Sequence, residues 1–82
     1  MNLDFLTKDQ RVYLSDHNLV KKFERQYQQL LKSPNHPSLN LEILEPRSKG
    51  FHSFRLDRKY RVIFVFDPNK NIKILAITNH YH

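Results

Sequence analysis

The sequence predicts an α+β fold: one small domain, residues 1–82, with N-terminal helices packed on a twisted antiparallel sheet of about four strands. Three observations carry this prediction. Apolar residues recur at three- and four-residue steps only before residue 33, as on one face of an amphipathic helix. After residue 38 the apolar period shortens to two, as in half-buried strands. Short turns join the strand-like segments; they produce hairpins, hence antiparallel pairing with one face under the helices.

In chain order, residues 1–6 read as a short strand or a loose entry segment. Thr7 is placed to cap a short helix over Lys8 to Leu14, and Ser15 or Asp16 offers a second N-cap. From there Leu19, Val20, Phe23, Tyr27, Leu30 and Leu31 form one apolar stripe on a helix of about 17 residues. Ser33-Pro34-Asn35-His36-Pro37 stops that helix, because proline removes a backbone donor and fixes φ. Leu39, Leu41 and Ile43 then alternate with Asn40, Glu42 and Leu44, predicting a half-buried strand. Pro46 to Gly50 is a turn, and Gly50, the single glycine of the chain, marks a position needing positive φ or close backbone approach. Phe51 to Leu56 is a second strand, with Ser53 and Arg55 opposite Phe54 and Leu56. Asp57-Arg58-Lys59 is a tight connection into Tyr60 to Phe66, the most apolar strand and hence a central one. Asp67 to Asn71 is a turn, Ile72 to Ile77 the last strand, and residues 78–82 a polar, aromatic tail.

Composition narrows the function. Fourteen Lys and Arg against eight Asp and Glu give a net charge of +6. That surplus points to nucleic acid or an acidic protein as partner. Zero cysteine excludes a disulfide framework, a thiol nucleophile and any Cys-ligated metal site. The longest apolar run is Val62 to Phe66, against the ~20 residues a transmembrane helix needs. Asp4 and Lys8 hem in Leu3, Phe5 and Leu6, which does not make a signal peptide. A cytoplasmic protein with no membrane partner is the expectation.

Three features bear on chemistry. Arg55 and Arg61 lie in apolar strands, where a guanidinium is costly unless its head reaches water or an anion. They converge on a phosphate, or else lie on a solvated sheet face or pair with Glu42 or Asp57. The chain ends His80-Tyr81-His82, which offers proton shuttles near neutrality or, equally, a frayed tail; two ligands at such spacing make no metal site. Glu42 is a carboxylate in a basic neighbourhood: a proton acceptor, or one half of a structural salt bridge. His36 reads as a turn residue and His52 as a strand surface residue. No serine has a nucleophile-elbow context, and one glycine cannot build a phosphate loop. One carboxylate, two strand arginines and a His/Tyr terminus suit a ribonuclease that uses the 2′-hydroxyl of RNA as nucleophile, with no metal and no cofactor.

The segments Pro34-Asn35-His36-Pro37-Ser38-Leu39, Leu41-Glu42-Ile43-Leu44, Gly50-Phe51-His52-Ser53-Phe54-Arg55-Leu56 and Lys59-Tyr60-Arg61-Val62-Ile63-Phe64 resemble the RelE/ParE superfamily of bacterial toxin–antitoxin toxins. The resemblance spans roughly residues 19–82. It implies a RelE-like α+β domain. In look the chain is nearest to the YoeB-type and RelE-type ribonucleases, which cut mRNA in the ribosomal A site without metal. Carried over by position, Glu42 matches the general base, Arg61 the phosphate-holding arginine and Arg55 a supporting one. The terminal His-Tyr pair falls on His80-Tyr81 or, in the other register, on Tyr81-His82; His80 is the general acid in the first. Arg58, Lys59 and His82 complete the expected contacts to substrate phosphate or RNA. The tail is shorter than in many relatives, and the lysine-rich active site of RelE itself is not reproduced.

The resemblance thus implies a translation-inhibiting endoribonuclease whose partners are the ribosome, mRNA and a cognate antitoxin, with which it forms a hetero-oligomer. A ParE-like inhibitor of DNA gyrase and a degenerate, non-toxic antitoxin-binding relative are the alternatives.

Overall fold

Thr7 is extended, and its hydroxyl accepts the backbone N–H of Gln10 at 3.1 Å while the Gln10 side chain accepts the N–H of Thr7 at 3.0 Å. This reciprocal box starts α1, Lys8–Asp16, in a computed structural model that describes residues 1–79. Residues 1–6 form a turn closed by Leu6 N–H to Leu3 O, not a strand. Leu6 is buried, and Phe5 stacks on Tyr27 at 4.9 Å.

Helix α1 runs two residues past the expected Leu14, so Ser15 and Asp16 form its last turn rather than capping the next helix. Asn18 then takes a left-handed conformation (φ 55°), which ends the helical path. The second helix, α2, is Val20–Lys32, 13 residues with no side-chain cap at Leu19. It is shorter than the predicted 17 because the left-handed Asn18 separates it from the residues expected to cap it. Most of the predicted apolar stripe faces the core, with Phe23 and Leu30 fully or nearly fully buried, and Leu19, also buried, just ahead of the helix; Leu31, expected on the stripe, is instead 59% exposed.

The period-two segment 39–44 yields far less strand than its pattern predicts. Pro37–Leu39 is a 3-10 turn that buries Leu39, and Asn40 is left-handed (φ 43°). Only Glu42–Ile43, β1, reaches the ladder, and Leu41 and Ile43 are exposed. The remaining strands are β2, His52–Arg55, β3, Arg61–Phe66, and β4, Ile72–Thr78. All pairs are antiparallel, in the spatial order β1-β2-β3-β4.

Gly50 (φ 69°) closes a 3-10 turn, Arg47–Lys49. A Cβ built there meets nothing within 4 Å, so backbone conformation rather than space calls for glycine. Phe23 of α2 packs on Phe54, and Phe54 on Phe64, at ring separations of 6.3 and 5.8 Å. These rings tie the helix layer to the sheet and define the face on which the core lies. Among the described residues no helix is long and apolar enough to cross a membrane.

Candidate functional site

Alternation along the strands separates two faces. Phe54, Leu56, Val62 and Phe64 point toward the helices and are buried. Ser53, Arg55, Arg61 and Ile63 occupy the other face. Residues directly opposite each other across a ladder share a face. The register sets Glu42 opposite Ser53, Arg55 opposite Arg61, and Arg61 opposite Thr78. Five polar side chains from four strands therefore meet away from the helices.

Arg61 anchors this patch. Its Nε donates to Ser53 Oγ at 2.9 Å, and Nη2 donates to Asn40 O at 2.6 Å and to Ser53 O at 3.3 Å. Glu42 Oε2 lies 3.9 Å from the same Nη2. Of the alternatives open for Arg61 the solvated sheet face is excluded. The Arg61 side chain is 10% exposed, and these protein acceptors take much of its donor capacity. The pairing with Glu42, one of the alternatives weighed from sequence, is present. The Glu42 side chain remains 38% exposed.

Arg55 is half-buried and directly opposite Arg61. Arg58 and Lys59 are exposed in the β2–β3 connection. Lys59 Nζ lies 5.5 Å from the centre of the Tyr60 ring, whose other neighbours are Tyr13 and His17 at the end of α1. Arg58 and Arg55 instead line a groove between α2 and this connection. The expected site residues His80, Tyr81 and His82 lie outside the described residues.

The groove has a volume of about 650 Å³. Arg25, Gln26 and Gln29 of α2 form one wall, His36 and Ser38 of the 3-10 turn a second, and residues 55–58 the third. Gln26 is 7% exposed, and its Nε2 donates to Ser38 O at 3.0 Å and Arg55 O at 2.8 Å. This one side chain joins α2, the turn and β2. Sequence reading missed it; a lone Gln within the apolar stripe, three residues after Phe23 and four before Leu30, is the signal that was available.

Asp57, a candidate partner for either arginine, pairs instead with Lys22 Nζ at 2.8 Å. Burial alone would push its carboxyl up. Hydrogen bonds from Lys22 and from the backbone N–H groups of Tyr60 and Lys59, with the Lys22 charge, overcome that and hold it below the usual carboxylate value. His36 is a turn residue, as expected. His52 departs from expectation: it is half-buried and stacks on Phe64 at 5.3 Å, on the Phe54 side of the sheet. Its Nδ1 lies 2.9 Å from Gly50 O, an acceptor, so the ring proton sits on Nδ1. Among the described residues no three His, Cys, Asp or Glu side chains group closely enough to hold a metal ion.

Comparison with models of known protein families returns no match, and neither does comparison with curated protein sequences.

Proposed function

We propose that this protein is the toxin of a type II toxin–antitoxin module, an endoribonuclease that cuts mRNA on the ribosome. The observation that carries this reading is the Glu42–Arg61 pair, with Arg55 opposite Arg61, on the face of the sheet away from the helices. The Glu42 carboxylate stands 3.9 Å from the Arg61 guanidinium, at ion-pair distance, which brings a proton acceptor and a phosphate-holding cation to one place.

The chemistry follows from these residues. Glu42 takes the proton of an RNA 2′-hydroxyl as its oxygen attacks the adjacent phosphorus. Arg61 and Arg55 offset the charge that builds on the phosphate oxygens. The bond from phosphorus to the 5′-oxygen breaks, and His80 donates a proton to that leaving oxygen. His80 follows Thr78, which pairs with Arg61, by two positions in the chain. Tyr81 and His82 orient the substrate beside it. The products are a 2′,3′-cyclic phosphate and a 5′-hydroxyl, and the step calls for no cofactor. The ribosome positions the message, a bacterial cytoplasm is the setting, and a cognate antitoxin holds the toxin in an inactive hetero-oligomer.

In-vitro translation with purified protein, followed by primer extension on the message, tests this reading. New 5′ ends at codon boundaries are expected, with free RNA cut poorly because the ribosome supplies positioning. An intact message together with loss of gyrase supercoiling points to the ParE-like alternative and overturns the reading.

A further inference from the structure

We infer that the groove between α2 and the β2–β3 connection is a second site, which holds the phosphodiester backbone of single-stranded RNA. The choice of RNA as ligand rests on the ribonuclease reading above; the anionic character of the ligand does not. Three arginines, Arg25, Arg55 and Arg58, are among the residues that line the groove. Among the described residues the only carboxylate of the lining, that of Asp57, is already engaged by Lys22 Nζ at 2.8 Å and by the N–H groups of Lys59 and Tyr60 at 2.8 and 2.9 Å. Glu24, the one acidic residue of α2, is 3.4 Å from the N-terminal amine. Among the described residues the three arginines are therefore gathered without an ion-paired acid, an arrangement that raises the local concentration of an anion.

The groove walls are fixed before any ligand arrives, because buried Gln26 ties Ser38 O and Arg55 O to α2. His36 Nδ1 accepts the N–H of Ser38 at 3.2 Å, which leaves the proton of the neutral ring on Nε2. Phosphate suits such donors, since each guanidinium presents a planar fork. An acidic peptide is the weaker occupant. Protein partners anchor on apolar and aromatic side chains, and the lining holds one apolar residue, Leu56, itself 3% exposed. Continuity favours RNA further: Arg55 belongs to the groove lining and stands opposite Arg61 in the ladder.

Fluorescence anisotropy with a short, labelled, 2′-O-methyl RNA, which cannot be cleaved, tests the site apart from the chemistry. The double variant Arg25→Glu/Arg58→Glu, both positions exposed, is compared with Lys8→Glu/Lys73→Glu, exposed positions outside the groove, after circular dichroism shows that both fold. The groove variant is expected to lose at least about tenfold in affinity, and its salt slope to fall by about 1.4, the sum of two phosphate contacts. The remote variant is expected to stay within about twofold of wild type. Equal losses in both variants, or none in the groove variant, overturn the inference. So does an acidic peptide that displaces the RNA more tightly than RNA itself binds. If the wild type cuts no message and the groove variant alone loses RNA binding, the catalytic reading fails while the groove assignment stands.

Discussion

Burying a guanidinium costs several kcal/mol unless its donors are satisfied. Arg61 meets that demand through Ser53 and Asn40, with Glu42 nearby. It is thus a structural staple as well as the proposed phosphate holder. Arg61→Ala should cost roughly 2–4 kcal/mol of stability by urea denaturation, so loss of activity in that variant does not isolate chemistry. Glu42→Gln does. It keeps shape at a partly exposed position but removes the charge beside Arg61, so stability should fall by about 1 kcal/mol while message cleavage falls about 100-fold or more. Asp57 gives a pH signature. Its folded pKa lies below its unfolded one, so its contribution to stability is complete above the unfolded value of about 3.9 and is lost as pH falls through the folded value. Urea midpoints should show wild type more stable than Asp57→Asn at pH 6, with the gap closing below about pH 4. A gap that is constant with pH contradicts the assigned shift.

At the scale of elements, local chemistry was legible where it acts over a few residues. The Thr7 cap, the apolar stripe of α2, the Pro34–Pro37 stop and the positive φ of Gly50 all follow from their own neighbourhoods. Two boundaries were not legible. Asn18 and Asn40 turn left-handed, and asparagine adopts that conformation without announcing it in the apolar period. The first shortened α2; the second reduced the 39–44 strand to Glu42–Ile43 and left Leu41 and Ile43 outside the core. Gln26 links three elements, so Gln26→Ala should cost about 2 kcal/mol by thermal or urea denaturation, because Ser38 O and Arg55 O both lose a donor. A change under about 0.5 kcal/mol would show that water replaces those bonds without penalty.

For the whole molecule, a net charge of +6 pointed to an anionic partner without saying where. Folding distributes the cations into distinct environments. Arg61 is internalised, Lys22 neutralises Asp57, and Arg25, Arg55 and Arg58 remain around one groove. Sequence alternation placed Ser53 with Arg55 on one face. It left undetermined that Glu42 and Thr78 join them, because cross-strand register depends on contacts far apart in the chain. The α+β architecture was readable from period changes and hairpin-length joins. The groove was not, since its residues come from positions 25 to 58 and meet only in three dimensions.

The proposed 2′-hydroxyl attack leaves a chemical record on its product. Mass spectrometry of the upstream fragment, after cleavage in a purified translation reaction, reads that record directly. A 2′,3′-cyclic phosphate is expected on that fragment, a 5′-hydroxyl on its downstream partner, and neither product with Glu42→Gln. A 3′-hydroxyl paired with a 5′-phosphate would mean that water, not the RNA, supplied the nucleophile, and would contradict the proposed attack.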